Sequence, residues 1–512
     1  MVPTRLPSET FSSVDAAWLR MDEPTNMAMV TGVLTFNAPL DIQRLKATLT
    51  NRLLSIKRFR QRVKEPSRPL GLPRWEPDPH FDLNAHLHRI ALPAPGGEVA
   101  LQELASDMMS TPLDFTKPLW QMHLVENYSS GSALIVRLHH CMADGLTLVR
   151  VLLSITDKEP DAPWPEPPEK PPRLPWLAEL FNPAVTTVSS ALRATDALLH
   201  EGMETLIHPS RLVDAAKLGV GGATALGKLL LILPDRKTVF KGECGVAKRA
   251  TWSAPIPLDD VKAVGRSMGS TVNDILLAAV TGALRRYMER RGEPTDGVNL
   301  RAVVPVSLRP LEGANLDKLG NRFGLIFLSL PIGVREPTTR IRALKQRMDA
   351  IKGTPEAVVT FGILSAMGMT PIQIENIIVT IFGSKATGVM TNVPGPRETL
   401  YLAGRPIRGI MFWVPQPGRL GLGVSIISYA GQVALGVATD AGLVPDPEAI
   451  IAGFHAEFDQ MKRVALPSER KNLRAAKSVP AKDGRCQAMT QSGTRCKNRA
   501  RPGSTTCGIH QR

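Results

Sequence analysis

Residues 157–176, DKEPDAPWPEPPEKPPRLPW, hold eight prolines and five acids and constrain this chain more than any other segment. Proline fixes φ and has no N–H to donate, so such a run favours extended polyproline geometry and cannot build a core. It reads as a linker. Folded units are expected on either side of it.

Both sides use the same vocabulary. Before the linker, strand-like AMVTGVLTF, LWQMHLVE and SALIVRLHH alternate with helix-like LDIQRLKATLTNRLLS and EVALQELASDMM. After Glu243 come RATWSAPI, a helical TVNDILLAAVTGALRRYMER, strand-like LRAVVPVSL and GLIFLSLPI, more helices and a closing hairpin. This mixture predicts an α/β (α+β) fold with halves at 1–156 and 245–465. Residues 157–244 then form a Pro-rich and helical connector, and 466–512 a small tail. The connector's apolar stretches, VSSALRATDALLHEGMETLI and LGKLLLILP, fit helices packed across a domain boundary or helices lying on a membrane surface.

Composition, 43% hydrophobic and 21% charged, excludes a disordered chain. The formal charge of +15 invites a polyanionic partner, but its distribution matters. Residues 466–512 contain eleven Lys/Arg against Glu469 and Asp483, a net of +9, leaving +6 for the other 465 residues. The body therefore needs no nucleic acid or other polyanion beyond the phosphates of a substrate. The tail could meet nucleic acid, an anionic lipid surface or another protein. MVPTRLPSETF lacks the apolar stretch of a secretory signal, so a cytoplasmic, reducing compartment is expected, where five cysteines do not form a disulfide framework. The uncharged run between Arg419 and Asp440 carries Ser, Gln and glycines at turn positions. It reads as a hairpin turning at Tyr429-Ala430-Gly431, and no transmembrane helix is expected.

The strongest chemical feature is His139-His140-Cys141-Met142-Ala143-Asp144-Gly145, where SALIVRLHH ends and GLTLVRVLLSI begins. Successive strand side chains point to opposite faces, so one histidine is a candidate base and the other a packing or positioning residue. A histidine titrates near neutrality and can take a proton from a hydroxyl without a cofactor. Asp144 is placed to fix the loop or pair with an arginine, and Gly145 to permit a tight helix entry. A plain pair of strand-end histidines with an aspartate cap is the simpler alternative.

His-His-x-x-x-Asp-Gly at a strand-to-helix junction resembles the CoA-dependent acyltransferase superfamily, which includes chloramphenicol acetyltransferase and peptide-synthetase condensation domains. Further strings narrow the resemblance to the bacterial wax ester synthase/acyl-CoA:diacylglycerol acyltransferase family. They are Pro118-Leu119-Trp120, Asn273-Asp274, Val304-Pro305-Val306-Ser307-Leu308-Arg309, Leu319-Gly320-Asn321-Arg322, Thr391-Asn392-Val393-Pro394-Gly395-Pro396, Ser428-Tyr429 and Leu443-Val444-Pro445-Asp446. The resemblance spans roughly residues 8–462. The chain departs from it at Ala430, where relatives commonly have Asn, and in its tail.

The resemblance implies two chloramphenicol-acetyltransferase-like domains with the active site in a tunnel between them. It implies transfer of a long-chain acyl group from acyl-CoA to diacylglycerol or a fatty alcohol, with His140 as general base and His139 and Asp144 as structural partners. It places Asn273, and with them Asp274 and Arg309, near the tunnel as substrate-binding residues. No cofactor is implied for catalysis. With membrane-soluble substrates, peripheral contact with the inner membrane or a lipid droplet is expected, through residues 177–234 and the basic tail. Rival functions are a condensation-type or polyketide-associated acyltransferase fed by a carrier-protein thioester, and a non-catalytic lipid-surface binding protein.

Several features compete. Gly265-Arg266-Ser267-Met268-Gly269 matches a serine-hydrolase nucleophile elbow, but the preceding LDDVKAVG has helical spacing where the elbow needs a strand. Gly222–Lys228 nearly spells a phosphate-binding loop, with Leu229 in place of the required Ser/Thr. His139-x4-Asp144 also fits the glycerophosphate acyltransferase motif, in which His139 would be the base, and Cys141 offers a thiol. Asn273-Asp274 after Ser270-Thr271 could be ordinary decoration of a helix N-terminus. In the tail, Cys486, Cys496, Cys507 and His510 offer four ligands for a small structural zinc module, with a disordered basic tail as the alternative.

Overall fold

The computed structural model describes residues 8–66, 71–166, 227–308 and 319–466, with 488, 496–499 and 507. The first half runs β1 (Glu9–Thr10), α1 (Ser13–Arg20), β2 (Met29–Phe36), α2 (Ile42–Asn51), β3 (Gln61–Lys64), β4 (Arg74–Pro77), β5 (Leu87–Ala91), α3 (Glu98–Met109), β6 (Trp120–Tyr128), β7 (Gly131–His139) and α4 (Gly145–Ile155). The second runs β8 (Lys248–Trp252), β9 (Ile256–Pro257), α5 (Leu258–Ser267), α6 (Val272–Arg290), β10 (Leu300–Ser307), β11 (Phe323–Leu330), α7 (Pro337–Lys352), α8 (Glu356–Met367), α9 (Ile372–Ser384), β12 (Gly388–Pro394), β13 (Tyr401–Leu402), β14 (Arg405–Trp413), β15 (Leu422–Tyr429), β16 (Gln432–Asp440) and α10 (Glu448–Ala465).

Two large sheets result, plus a small one of β1, β4 and β3. The first has the order β13-β14-β2-β7-β6-β5, with β5 and β6 parallel and the other pairs antiparallel. The second has the order β11-β10-β12-β15-β16-β8, with β9 added to β16. Strand β7 is buried along its whole length except at half-exposed Val136, which explains its near-continuous apolar sequence.

The division at residue 245 needs one amendment. β13 and β14 belong by sequence to the second half, yet β14 pairs with β2 from Ile407–Phe36 to Trp413–Thr31 and completes the first sheet. The Pro-rich segment stays close to the first half as far as it is described. Asp157 exchanges backbone hydrogen bonds with Tyr401, both 2.8 Å, and its carboxylate meets Arg52 at 2.7 Å. Residues 167–226, with most of the expected connector helices, lie outside the described residues.

In the second half, α6 is buried on nearly every face, as its all-round apolar sequence requires, between α10 and α7. β10 and β12 are parallel neighbours only at Ala302–Gly388 and Val303–Val389; beyond that they part, and β12 pairs with β15 alone. Pro305 and Pro394, which have no N–H to leave unpaired, fall in the parted stretches.

The uncharged run forms the hairpin β15–β16. Its two-residue turn places Ala430 at φ +47° and Gly431 at φ +75°, both left-handed, as a tight hairpin demands. Alanine pays a steric penalty there that asparagine largely avoids. Ala430→Asn is therefore expected to raise the unfolding free energy by about 0.5–1 kcal/mol, read as a higher urea midpoint at unchanged slope.

Candidate active site

Strand β7 ends at His139, opposite Met29 of β2, and the chain turns at once into a 3-10 turn, His140–Met142. This break separates the two histidines. The His139 ring folds back on its own loop: Nδ1 accepts from the Cys141 N–H at 3.2 Å, and Nε2 lies 3.5 Å from Asp22 Oδ1. The His140 ring enters a cavity, stacked on Trp18 at 4.1 Å between centroids and edge-on to Phe323 at 5.6 Å. The backbone N–H of His140 donates to the Ala28 carbonyl at 2.7 Å.

The loop is held from the second half. Asp144 caps α4, its Oδ1 accepting from Thr147 N–H at 2.9 Å, while Oδ2 accepts from the backbone N–H of Arg322 at 3.1 Å. Asn321 donates from both its backbone N–H and Nδ2 to Asp15 Oδ1, each at 2.8 Å, and from Nδ2 to the His140 carbonyl at 2.8 Å. Gly320 makes the approach possible: its φ is +128°, and a Cβ there would sit 2.9 Å from Asp15 Oδ2. Leu319-Gly320-Asn321-Arg322 is thus a clasp between α1, the histidine loop and β11.

Burial dominates the electrostatics. It pushes the His140 pKa down to about 4, helped by His139 and opposed by the Asp144 carboxylate, the residue's own backbone carbonyl and Asn321. His140 is consequently neutral at physiological pH. Burial raises the Asp15 carboxyl, against Arg58 and the hydrogen bonds from Ser12 and Asn321. It also raises the Cys141 thiol well above its ordinary value, and that fully buried side chain is not part of the cavity wall.

The cavity measures about 400 Å³ and draws its wall from both halves. Trp18, His140, Asp144 and Gly145 come from the first; the parted stretches Val304–Ser307 and Thr391–Pro394, with Phe327, Val379 and Phe382, come from the second. Most of this lining is apolar. Its polar members include His140, Asp144, Asn273, Thr391 and Asn392, and Asn392 Nδ2 donates to Asn273 Oδ1 at 3.0 Å.

Of the residues singled out in the sequence, His140, Asp144, Gly145 and Asn273 line this cavity, and His139 sits behind it. Asp274 does not reach it. It closes a capping box with Thr271, accepting from Thr271 N–H at 2.9 Å while its own N–H donates to Thr271 Oγ1 at 3.2 Å. The substrate-binding reading of Asp274 is therefore corrected to a helix cap, because one position along a helix turns the side chain by about 100°. Arg309 lies outside the described residues, as do Cys486 and His510. Ser267 ends helix α5 with its hydroxyl on the Ala465 carbonyl at 2.8 Å, so the strand-turn-helix of a hydrolase elbow is absent there. Of the near phosphate-loop string, residues 222–226 lie outside the described residues.

Sequence reasoning missed Asp15, Trp18 and Phe323. Ser12-x-x-Asp15 looks like a local cap, and Asp15 N–H does meet Ser12 Oγ at 3.1 Å. Its carboxylate, though, serves Asn321, 306 positions away, and no local pattern signals that.

Two family models match the chain: the wax ester synthase/diacylglycerol acyltransferase catalytic domain over residues 11–276 and the matching C-terminal domain over 319–462. A putative diacylglycerol O-acyltransferase of Mycobacterium bovis is 27% identical over 476 residues, covering 90% of this chain and 97% of its own. Another from Mycobacterium tuberculosis is 30% identical over 419 residues, 78% of this chain and 84% of its own. Among solved structures, the wax ester synthase/diacylglycerol acyltransferase of Marinobacter aquaeolei superposes with a TM-score of 0.63 at 21% identity, covering 89% of this chain and 99% of that one. The first condensation domain of the calcium-dependent antibiotic synthetase gives 0.57 at 14%, covering 90% and 97%. The likeness bears out the expected α/β fold of two chloramphenicol-acetyltransferase-like domains.

Removing the clasp amide takes one of its two Asn321 donors from the buried Asp15 carboxylate and takes the Nδ2 donor from the buried His140 carbonyl. Asn321→Ala is expected to lower the unfolding free energy by on the order of 2–4 kcal/mol, measured by urea denaturation.

Proposed function

This chain belongs to the wax ester synthase/diacylglycerol acyltransferase family, and from that premise we propose that it moves a long-chain acyl group from acyl-CoA to the hydroxyl of diacylglycerol, of a long-chain alcohol, or of both. The observation that carries the reading is the neutral His140 ring, set against Trp18 and Phe323 in the wall of a largely apolar cavity. An apolar chamber between two domains suits fatty chains, and a neutral imidazole in its wall suits proton removal from an alcohol.

In the proposed step, His140 takes the hydroxyl proton as the oxygen attacks the thioester carbonyl. The tetrahedral oxyanion collapses, the C–S bond breaks, and the CoA thiolate receives the proton back from the imidazolium. The ester and free CoA leave. Asn273 is proposed to donate to the oxyanion or to a substrate oxygen, since its Oδ1 is engaged by Asn392 and its NH2 group is not used in that pair. Asp144 and His139 hold the loop. Transfer is direct and the chemistry draws on no cofactor; buried Cys141, with its raised pKa, is a poor nucleophile.

Peripheral association with the cytoplasmic face of a membrane or with lipid droplets belongs to the same proposal. Among the described residues no helix is long and apolar enough to cross a membrane. The carrier-protein reading has the condensation-domain likeness behind it, but that likeness extends only to the fold.

His140→Ala is expected to lower kcat for transfer from long-chain acyl-CoA to diacylglycerol and to hexadecanol by about 10²–10⁴-fold, and His139→Ala by less. A larger loss at His139 would move the base to that residue. The base must be unprotonated, and its form persists down to about pH 4 in the free enzyme. The acid limb of kcat/KM should accordingly fall below the ordinary histidine range, near pH 4 to 5 and not near 6.5.

For the tail we propose a structural zinc held by Cys486, Cys496, Cys507 and His510. The Cys496 and Cys507 sulfurs are buried and 4.0 Å apart, too far for a disulfide and close to the ~3.8 Å spanned by two thiolates on one tetrahedral zinc. Among the described residues no third ligand joins them. Purified full-length protein should contain about one zinc per chain, and Cys507→Ser should lose it without loss of acyl transfer; metal-free wild type would overturn this.

A further inference from the structure

Helix α9 has apolar residues on faces that a water-soluble helix would charge. Between Thr354 and Ser384 the only ionisable residues are Glu356 and Glu375. Glu375 is fully buried, facing Arg20 at 3.9 Å. One side of α9, with Ile378, Val379 and Phe382, lines the cavity. A neighbouring side shows Ile374, Ile377 and Ile381, spaced i, i+3, i+7 and 47%, 58% and 46% exposed.

The patch continues past the helix end. Lys385 donates from Nζ to the carbonyls of Leu229, Leu230 and Ile232 at 2.8–2.9 Å, fastening that segment against α9. Leu229 and Ile232 tuck in beside Phe382, while Leu230, Leu231 and Leu233 stand 58%, 81% and 75% exposed. Six large aliphatic side chains are thus offered to solvent in one region, beyond the scattered exposed leucine of an ordinary surface. Lys228, Arg236 and Lys237 are exposed at its edge, and the acid among them, Asp235, is buried and engaged by Thr387 and the Arg301 N–H.

We propose that α9 and residues 230–233 form the surface by which the enzyme settles on a phospholipid leaflet, so that a lipid acceptor passes from the leaflet past α9 into the cavity. The apolar face beds among acyl chains and the rim cations meet anionic headgroups, the arrangement of an interfacial helix. At 13 residues, about 20 Å, α9 is too short to span a bilayer and suited to lying in its surface. The direction of entry follows from the helix itself, whose neighbouring faces, about 120° apart, meet the solvent and the chamber. The assignment of an acceptor rests on the acyl-transfer reading; the docking surface does not.

The test uses the full-length triple variant I374N/I377N/I381N, none of whose positions lines the cavity. In flotation with phosphatidylcholine–phosphatidylglycerol vesicles carrying diacylglycerol, partition is expected to fall on the order of tenfold or more, and acylation of the vesicle diacylglycerol to fall with it. Transfer from a short-chain acyl-CoA to a water-soluble alcohol without vesicles should be unchanged, and Ile377→Phe should float like wild type. Raising salt or omitting phosphatidylglycerol should weaken wild-type flotation. Undiminished flotation of the triple variant would overturn the proposal, as would equal loss of transfer to the soluble acceptor. A wild type that dimerises through this face would overturn it in favour of a second copy as occupant. Should flotation follow expectation while wild type acylates no acceptor, the docking surface stands and the acyl-transfer reading falls.

Discussion

The pairing of β14 with β2 is the constraint from which the rest follows. A strand from near residue 410 completes a sheet whose other main strands come before residue 140, so the first half does not close its own core. Trp413, Met411 and Ile407 enter the same apolar cluster as Val33, Leu134 and Ile135. In that sheet β7 lies between β2 and β6 and ends at His139, where the histidine loop meets residues 321 and 322 of the second half. Tyr429 reinforces the crossing: its hydroxyl donates to the Ile407 carbonyl at 3.0 Å and accepts from Leu400 N–H at 2.9 Å.

A cavity at that boundary needs a gap in one sheet, and the parting of β10 from β12 supplies it. Prolines at the gap avoid leaving amides unpaired, and the N-terminus of α6 stands by it, with Asn273 linked to Asn392. The clasp at residues 319–322 then fixes the depth of His140. An isolated imidazole in such surroundings stays neutral because charging it would cost desolvation energy. The Trp18 and Phe323 rings maintain those surroundings while leaving the edge of the imidazole open to the cavity.

Much of the fold was legible. The short apolar runs SALIVRLHH, LRAVVPVSL and GLIFLSLPI pointed to strands at β7, β10 and β11, and the glycine-punctuated run to the β15–β16 hairpin, because these patterns report burial of a strand's own faces. The crossing of β14 was not legible: RPIRGIMFW reads as a strand, but nothing in it states which sheet it joins. At the site, the histidine pair with Asp144 stood out as a motif, and the strand's two-residue period showed that only one ring could face a given side. Asp274 misled because an acidic residue in a helix's first turn looks the same whether it caps or binds. Asp15 and Trp18 carried no signal, their partners being hundreds of residues distant.

By itself, then, the sequence determined the local matters: which segments become strands and helices, where the Pro-rich break falls, where charge accumulates, and which strand-end histidine pair is the candidate chemical centre. These depend on backbone geometry and on neighbours within a few residues. The tertiary structure alone decided which histidine enters the cavity, that a strand crosses between halves, that Asn321 clasps Asp15 to the histidine loop, and that α9 is left with apolar side chains in solvent. Each depends on packing and desolvation between residues far apart in the chain, and those energies are absent until the chain is folded.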